Sequence, residues 1–190
     1  NDTVENVNAT GGEVWAGVGD DAVYWWGKGD ALVGGKGNDY IYAQDGSNSY
    51  GDEGPGLAHR TVGNDVLQTG ATSAGGFSTQ TGGRGADWHV FDGLYDGLGG
   101  TSACVVTDFT AGEDKVGMKV NGLPGFMSTN AVWTALDTNA DGRLDGMDVP
   151  PDWTVSGTAV IDGNLVLRMY DDSLVLMHTT SITTADWLFG

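Results

Sequence analysis

The stretch that decides the fold is residues 16–51, which divide without a gap into four nonapeptides, AGVGDDAVY, WWGKGDALV, GGKGNDYIY and AQDGSNSYG. The sixth place of each repeat carries an acid or an amide, and the eighth place carries an apolar side chain. These residues are Asp21, Asp30, Asp39 and Asn48 at the sixth place, and Val23, Leu32, Ile41 and Tyr50 at the eighth. A helix face needs three or four apolar residues in two turns, so one in nine is too sparse. The period predicts a short strand followed by a turn.

Two such repeats make one coil if each nonapeptide forms half of it. Equivalent strands then stack in parallel about 4.8 Å apart, with the eighth residues pointing inward. The turns alternate between two sides, so Asp21 and Asp39 stack on one side and Asp30 and Asn48 on the other. Stacked carboxylates repel each other unless a cation lies between them. Calcium suits this role, because it accepts about six to eight oxygens and glycine-rich turns supply backbone carbonyls.

The third nonapeptide, residues 34–42, resembles the GGxGxDxUx repeat of the RTX family, the hemolysin-type calcium-binding repeats. The second repeat departs from it, with Trp25 and Trp26 where glycines are usual. Similar turns recur at residues 63–67 and 82–87, separated by an insertion at about 69–81. The resemblance implies a right-handed parallel β-roll that binds several calcium ions. The ligands it implies are Ala16, Val18, Gly19, Asp21, Asp30, Gly34, Lys36, Gly37, Asp39, Asn48, Asp65, Gly82, Gly85 and Asp87.

The composition limits the classes of function. The chain has 8 Lys and Arg against 26 Asp and Glu, a formal net charge of -18. Such a chain repels phosphate backbones and anionic lipid, so we expect no nucleic-acid partner and no membrane insertion. Glycine occurs 33 times and proline 4 times, which favours tight turns over a proline-rich linker. We find no catalytic motif and predict that this chain is not an enzyme.

The C-terminal half has longer apolar runs, which predict an antiparallel, sandwich-like β cap. We therefore divide the chain into a roll at residues 1–92 and a cap at 93–190. Residues 106–116, VTDFTAGEDKV, are similar to the stretch that follows the roll in secreted RTX proteins, including the C-terminal domain of serralysin proteases. The one cysteine, Cys104, is expected to be a buried strand residue. A short helix capped by Ser128 is expected at Thr129–Leu136.

A second calcium motif is predicted at residues 137–148, DTNADGRLDGMD, which resembles an EF-hand loop. Gly142 permits the sharp turn of such a loop. An aspartate closes the loop where an EF-hand usually has glutamate, and its reach is shorter. The expected ligands are Asp137, Asn139, Asp141, the carbonyl of Arg143, Asp145 and Asp148.

The sequence leaves three functions open. The first is a calcium-binding structural module that folds on calcium outside the cell, and the second is an adhesin or lectin-like binding module. The third is the C-terminal part of a larger secreted hydrolase or lyase. Residues 184–189, TADWLF, resemble the ending of proteins exported by the type I pathway, so we expect a secreted or cell-surface location. Trp25 and Trp26 either pack beneath the insertion or form a platform for a protein or carbohydrate partner.

Overall fold

The computed structural model describes residues 1–6, 11–27, 29–44, 46–54, 61–70, 76–95, 102–122, 128–148, 156–170 and 172–189. This part of the chain is mostly β, as predicted. Its first eleven strands are β1 (Thr3–Asn6), β2 (Glu13–Val18), β3 (Ala22–Trp25), β4 (Ala31–Lys36), β5 (Tyr40–Gln44), β6 (Asn48–Tyr50), β7 (Val66–Gly70), β8 (Phe77–Thr81), β9 (Trp88–Tyr95), β10 (Ser102–Val106) and β11 (Lys115–Gly122). The remaining elements are α1 (Thr129–Leu136), β12 (Arg143–Leu144), β13 (Ser156–Ile161), β14 (Asn164–Met169), β15 (Asp172–Leu176), β16 (Ile182–Thr183) and a short 3-10 helix (Thr184–Asp186).

Consecutive strands from β1 to β11 belong to opposite sheets. The odd-numbered strands form a six-stranded parallel sheet in the order β1-β3-β5-β7-β9-β11. The even-numbered strands run in parallel from β2 to β10 in the second sheet. The chain therefore coils, and equivalent turns stack along each of its two edges.

Strand alternation explains which residues fill the coil. Val23, Leu32 and Ile41 are 0% exposed and pack in one cluster, as the eighth-place pattern predicts. In a strand, successive side chains point to opposite faces. The residues flanking each buried position therefore face outward, among them Tyr24 and Tyr42.

The prediction for the fourth nonapeptide is wrong by one residue. Leu32 lies opposite Ser49, not Tyr50, and Ser49 is buried while Tyr50 is only half-buried. The preceding coil keeps the full period, since Val14 lies opposite Leu32. The coil from Leu32 to Ser49 is one residue shorter than the coil before it. The register of β6 on β4 is therefore shifted by one residue, and Ser49 instead of Tyr50 takes the inward place.

The predicted division at residue 92 does not coincide with a change in strand pairing. β10 pairs in parallel with β8, and β11 pairs in parallel with β9, so parallel pairing continues to Gly122. Antiparallel pairing in the large sheets is confined to β13-β14-β15, which extend the second sheet beyond β10. A buried apolar run such as that of β10 does not encode the direction of its partner, which is why the sequence suggested an antiparallel cap.

The predicted insertion at 69–81 is largely part of the sheets. β7 continues to Gly70, and β8 occupies Phe77–Thr81 and pairs with β6. Residues 71–75 lie outside the described residues. The inward side chains of β8 are the polar Ser78 and Gln80, so an apolar pattern could not reveal this strand.

The C-terminal part adds a larger apolar core. Helix α1 begins after Ser128, whose hydroxyl accepts a hydrogen bond from the Ala131 N–H, and this confirms the predicted helix and its cap. Trp133 of the helix packs on Trp187 with ring centroids 5.4 Å apart. Cys104 is fully buried in this core, as predicted.

Candidate metal centres along one edge of the coil

Five aspartates stack along the edge where the chain passes from the second sheet to the first. Each one directly precedes a strand of the six-stranded sheet, and none is more than 5% exposed. We call this set the aspartate ladder; it consists of Asp21, Asp39, Asp65, Asp87 and Asp114. Four of these residues are predicted ligands, and the structure brings all four together in one row.

Backbone hydrogen bonds hold one oxygen of each carboxylate in the ladder. The Asp21 N–H donates to Asp39 Oδ1 at 2.8 Å, and the Asp39 N–H donates to Asp65 Oδ1 at 2.7 Å. The pattern continues from the Asp65 N–H to Asp87 Oδ1 at 2.8 Å, and from the Asp87 N–H to Asp114 Oδ1 at 3.0 Å. Each aspartate is thereby fixed by the turn before it, so its second oxygen has a defined direction.

The second carboxylate oxygen is left without a hydrogen bond in three members of the ladder. The Oδ2 atoms of Asp21, Asp39 and Asp65 are buried and have no partner among the described residues. The pKa of Asp39 is raised to about 6, that of Asp65 to about 8 and that of Asp87 to about 7. Burial is the largest cause of each rise, and repulsion from neighbouring carboxylates also contributes. An unpartnered buried carboxylate is costly, so these groups are stabilised either by a proton or by a counter-ion.

Glycines leave open space beside these oxygens. A Cβ on Gly34 would clash with Asp39 Oδ2 and would lie 2.6 Å from the Gly51 carbonyl oxygen. A Cβ on Gly51 would likewise clash with Asp65 Oδ2 and would lie 2.6 Å from the Gly82 carbonyl oxygen. A carboxylate oxygen and a carbonyl oxygen therefore flank the same glycine in two successive coils. A carbonyl carries two lone pairs, so the Gly51 oxygen can accept the Gly35 N–H at 2.9 Å and still face a cation.

Other glycines on this edge allow the backbones to approach closely. A Cβ on Gly37 would clash with the Gly19 carbonyl, and one on Gly85 would clash with the Gly63 carbonyl. Both Gly37 and Gly85 have positive φ, of 136° and 140°, which favours glycine. Gly19, Gly37 and Gly85, all predicted ligands, therefore lie in the stacked turns.

Five predicted ligands lie in strands of the second sheet rather than in the turns, namely Ala16, Val18, Gly34, Lys36 and Asn48. Ala16 and Val18 belong to β2, where Val18 pairs with Lys36 of β4. The Lys36 carbonyl accepts the Gly19 N–H at 2.7 Å. The Lys36 backbone oxygen is thus already part of the hydrogen bonding between neighbouring coils.

The opposite edge is closed by protein hydrogen bonds. The Trp25 indole N–H donates to Asp30 Oδ2 at 2.6 Å, and the Gly12 N–H donates to Asp30 Oδ1. The predicted pairing of Asp30 with Asn48 is wrong, because Asn48 lies opposite Ala31 and accepts the Thr79 hydroxyl at 2.6 Å. The shortened coil moves Asn48 into the strand.

Trp25, for which the sequence left open either packing beneath the insertion or a surface platform, lies inside the coil. Its side chain is only 5% exposed and packs in the interior of the coil. A surface platform that uses Trp25 is therefore incompatible with the fold. Trp26, the next residue, faces outward and is half-buried.

Three further aspartates extend this edge and were not among the predicted ligands. Asp114 completes the ladder, and Asp108 accepts the N–H groups of Gly82 and Gly83 at 3.0 and 2.8 Å. The Arg84 N–H donates to Asp52 Oδ2 at 2.7 Å. For Asp108 and Asp114 the signal was available, since both lie in the stretch 106–116 that resembles the end of an RTX roll.

The EF-hand-like loop, residues 137–148, folds around its own backbone N–H groups. Asp137 accepts from the N–H groups of Asp141 and Gly142, each at 3.1 Å, and Gly142 has a φ of 78°. Asp148 is fully buried, and its two oxygens accept the Thr138 and Asp145 N–H groups at 3.0 Å.

The remaining predicted ligands of this loop are more exposed. Asn139 accepts the Asp141 N–H at 3.0 Å, and both residues face solvent. The Arg143 guanidinium lies 3.1 Å from Asp145 Oδ2, so part of the charge of that carboxylate is already balanced. The loop therefore brings its acids into one turn without converging their side chains on one point.

Side chains alone do not form a metal site among the described residues. Among the described residues, no group of three or more His, Cys, Asp or Glu side chains is arranged to hold a metal ion. A cation on the aspartate ladder would therefore need backbone carbonyls in its shell, which is compatible with calcium and not with a zinc-type site.

Comparison with known proteins gives no family for this chain. No protein-family model and no curated protein matches this chain. Within the described part of the chain, no helix is both long and apolar enough to cross a membrane.

Proposed function

We propose that this chain is a calcium-binding module of a secreted protein, an RTX-type right-handed parallel β-roll that folds when calcium occupies its turns. The observation that carries the proposal is the row of buried Oδ2 atoms on the aspartate ladder, three of which have no partner among the described residues. The alternation of parallel strands between two sheets supports the roll geometry.

The donors present fit a calcium ion. Asp39 Oδ2 with the Gly51 carbonyl, and Asp65 Oδ2 with the Gly82 carbonyl, would supply ligands from consecutive coils. A divalent cation there would neutralise carboxylates whose pKa burial now raises, and it would replace the repulsion between coils by a shared attraction. The fit favours calcium over magnesium, because magnesium demands octahedral geometry and gives up its waters reluctantly.

Binding and folding would then be linked. The ladder exists only when coils are stacked, so the unfolded chain has no comparable site, and calcium would stabilise the folded state by mass action. Calcium is abundant outside cells and scarce inside them. The chain would remain unfolded during export and fold on reaching the exterior.

The EF-hand-like loop is a second, separate candidate for calcium. Its residue order and the positive φ of Gly142 support it, whereas the Arg143–Asp145 ion pair competes with a cation. We expect this loop to bind more weakly than the ladder.

The test is a calcium titration of the EDTA-treated chain followed by circular dichroism, with magnesium as the control ion. We expect a cooperative gain of β signal with calcium and none with magnesium at the same concentration. Equilibrium dialysis in parallel counts the bound ions, and more than one is expected. A chain that is fully folded in EDTA and indifferent to calcium would refute the proposal.

A further inference from the structure

The outer face of the six-stranded sheet carries a row of aromatic rings. Tyr24, Tyr40 and Tyr42 alternate with buried residues and so face outward, and Trp26 continues the same face. The ring centroids of Tyr24 and Tyr40 are 5.5 Å apart, and those of Trp26 and Tyr42 are 6.2 Å apart. Trp88 lies on the same face and is 47% exposed. We call these five residues the aromatic face.

A groove adjoins this face at the end of the chain. It has a volume of about 310 Å³, and its lining includes the apolar residues Trp88, Val90 and Phe189 and the polar residues Gln68 and Lys119. Phe189 is 50% exposed, but its ring packs on Trp133 with centroids 5.7 Å apart. The groove therefore has two exposed rings, Trp88 and Phe189, on a packed support.

Polar groups lie among the rings. The Tyr40 hydroxyl donates to Gln68 Oε1 at 3.0 Å, and Gln68 Nε2 donates to Asp92 Oδ2 at 2.5 Å. The second oxygen of that carboxylate, Asp92 Oδ1, is buried and has no hydrogen-bond partner among the described residues.

We infer that the aromatic face and its groove bind a neutral, extended β-linked glycan. The C–H faces of pyranose rings stack on aromatic rings, and sugar hydroxyls can bond to a side-chain amide such as that of Gln68, which lines the groove. The face combines both kinds of group, whereas a protein-binding surface of the same size would need a larger apolar centre. Tyr40 and Trp88 directly follow Asp39 and Asp87 of the aspartate ladder, so the face forms only in the folded chain. The inference rests on the proposed function in this respect alone, and the test is made with calcium present.

Spacing and charge narrow the ligand further. Tyr40 pairs with Val66, and Val66 pairs with Trp88, so Tyr40 and Trp88 are two strands apart, about 10 Å. That separation suits alternate units of an extended β-linked chain. The net charge of -18 repels uronic-acid and sulfated polysaccharides, so the glycan is neutral.

The test is calorimetric titration of the full calcium-loaded chain with cellohexaose, with an alginate oligosaccharide as the anionic probe. We expect binding of cellohexaose only, and at least a tenfold loss of affinity in Trp88→Ala, about 1.4 kcal/mol. The matched control is Trp15→Ala, since Trp15 is 49% exposed but lies on the second sheet, and it should bind as the wild type does. Circular dichroism in calcium checks that both variants fold.

A second variant guards against an indirect effect of removing a tryptophan. Gln68→Ala removes the amide between Tyr40 and Asp92 and leaves every ring in place, so it should also weaken cellohexaose binding by several-fold. The inference is overturned if the wild type binds no cellohexaose at millimolar concentration, if Trp88→Ala binds as the wild type does, or if Trp15→Ala loses the same affinity. Preferential binding of an apolar peptide would also overturn it.

Discussion

Replacing Asp65 with asparagine should stabilise the calcium-free protein at pH 8 and weaken its response to calcium. Asp65 Oδ1 accepts the Asp39 N–H at 2.7 Å, and an asparagine oxygen can accept the same bond. Asp65 Oδ2 points to the place where the Gly82 carbonyl oxygen also lies, beside Gly51. An amide N–H₂ there would donate to that carbonyl, so the variant removes the charge and keeps the ladder.

The magnitude follows from the pKa of Asp65. Burial is the main cause of its rise from 3.8 to about 8, which corresponds to about 6 kcal/mol between the neutral and ionised carboxyl, at about 1.4 kcal/mol per tenfold change. Because the folded-state pKa is raised, the stabilising contribution is complete below the unfolded pKa of 3.8 and is lost as the pH rises through about 8. Asp39 and Asp87 shift in the same direction. The calcium-free wild type should therefore lose β structure as the pH rises from 4.5 to 8.

The assay is circular dichroism in EDTA at pH 4.5 and 8, followed by calcium titration at pH 8. At pH 8 in EDTA, Asp65→Asn should retain more β signal than the wild type, and the two should agree at pH 4.5. Its calcium midpoint should rise at least tenfold. The control is Asp20→Asn, which alters an exposed carboxylate in the same row of turns. The equivalent position in the neighbouring turn already carries an amide, Asn38. The reasoning fails if Asp65→Asn is less folded than the wild type at pH 8 in EDTA.

Four further substitutions separate the two edges and the loop. Gly34→Ala places a methyl group between Asp39 Oδ2 and the Gly51 carbonyl oxygen, so it should raise the calcium midpoint. Its control is Gly12→Ala on the opposite edge, whose Cβ would lie 3.6 Å from Asp30 Oδ1 and should leave the midpoint unchanged. Circular dichroism titration of both variants with calcium checks this. Asp30→Asn should leave the calcium midpoint unchanged but lower the free energy of unfolding by about 1–3 kcal/mol in urea, because it weakens the charge-assisted bond to the Trp25 indole. Asp141→Ala should remove one terbium site measured by luminescence while the calcium-induced β signal stays the same.

Local pattern was sufficient where neighbouring residues decide the structure. The nine-residue period correctly placed Val23, Leu32 and Ile41 inside the coil, because strand alternation depends only on residues in the same strand. The stacking of Asp21 with Asp39 followed for a related reason, since glycine and aspartate fix each turn locally. Helix α1 was predicted with its cap, because the cap is a contact between Ser128 and Ala131, which are three residues apart in the sequence.

Contacts between distant residues account for what the sequence did not reveal. Strand β8 turns Gln80 inward, where its amide donates to Thr69 at 2.9 Å and to the Val90 carbonyl at 3.1 Å. Those partners come from other strands, so no local rule gives a glutamine an inward place. Asp30 looked like Asp39 in the repeat, and only the fold shows that Trp25 reaches its carboxylate.

One repeat thus builds two edges with different chemistry. At Asp30 a neutral indole N–H donates to the second carboxylate oxygen, so that oxygen has a protein partner and needs no cation. At Asp39 and Asp65 the same oxygen has no partner among the described residues, although the first oxygen is bonded in the same way. If calcium fills that role, the metal requirement is confined to one edge, and the tryptophan that breaks the glycine pattern is the reason the other edge does not share it.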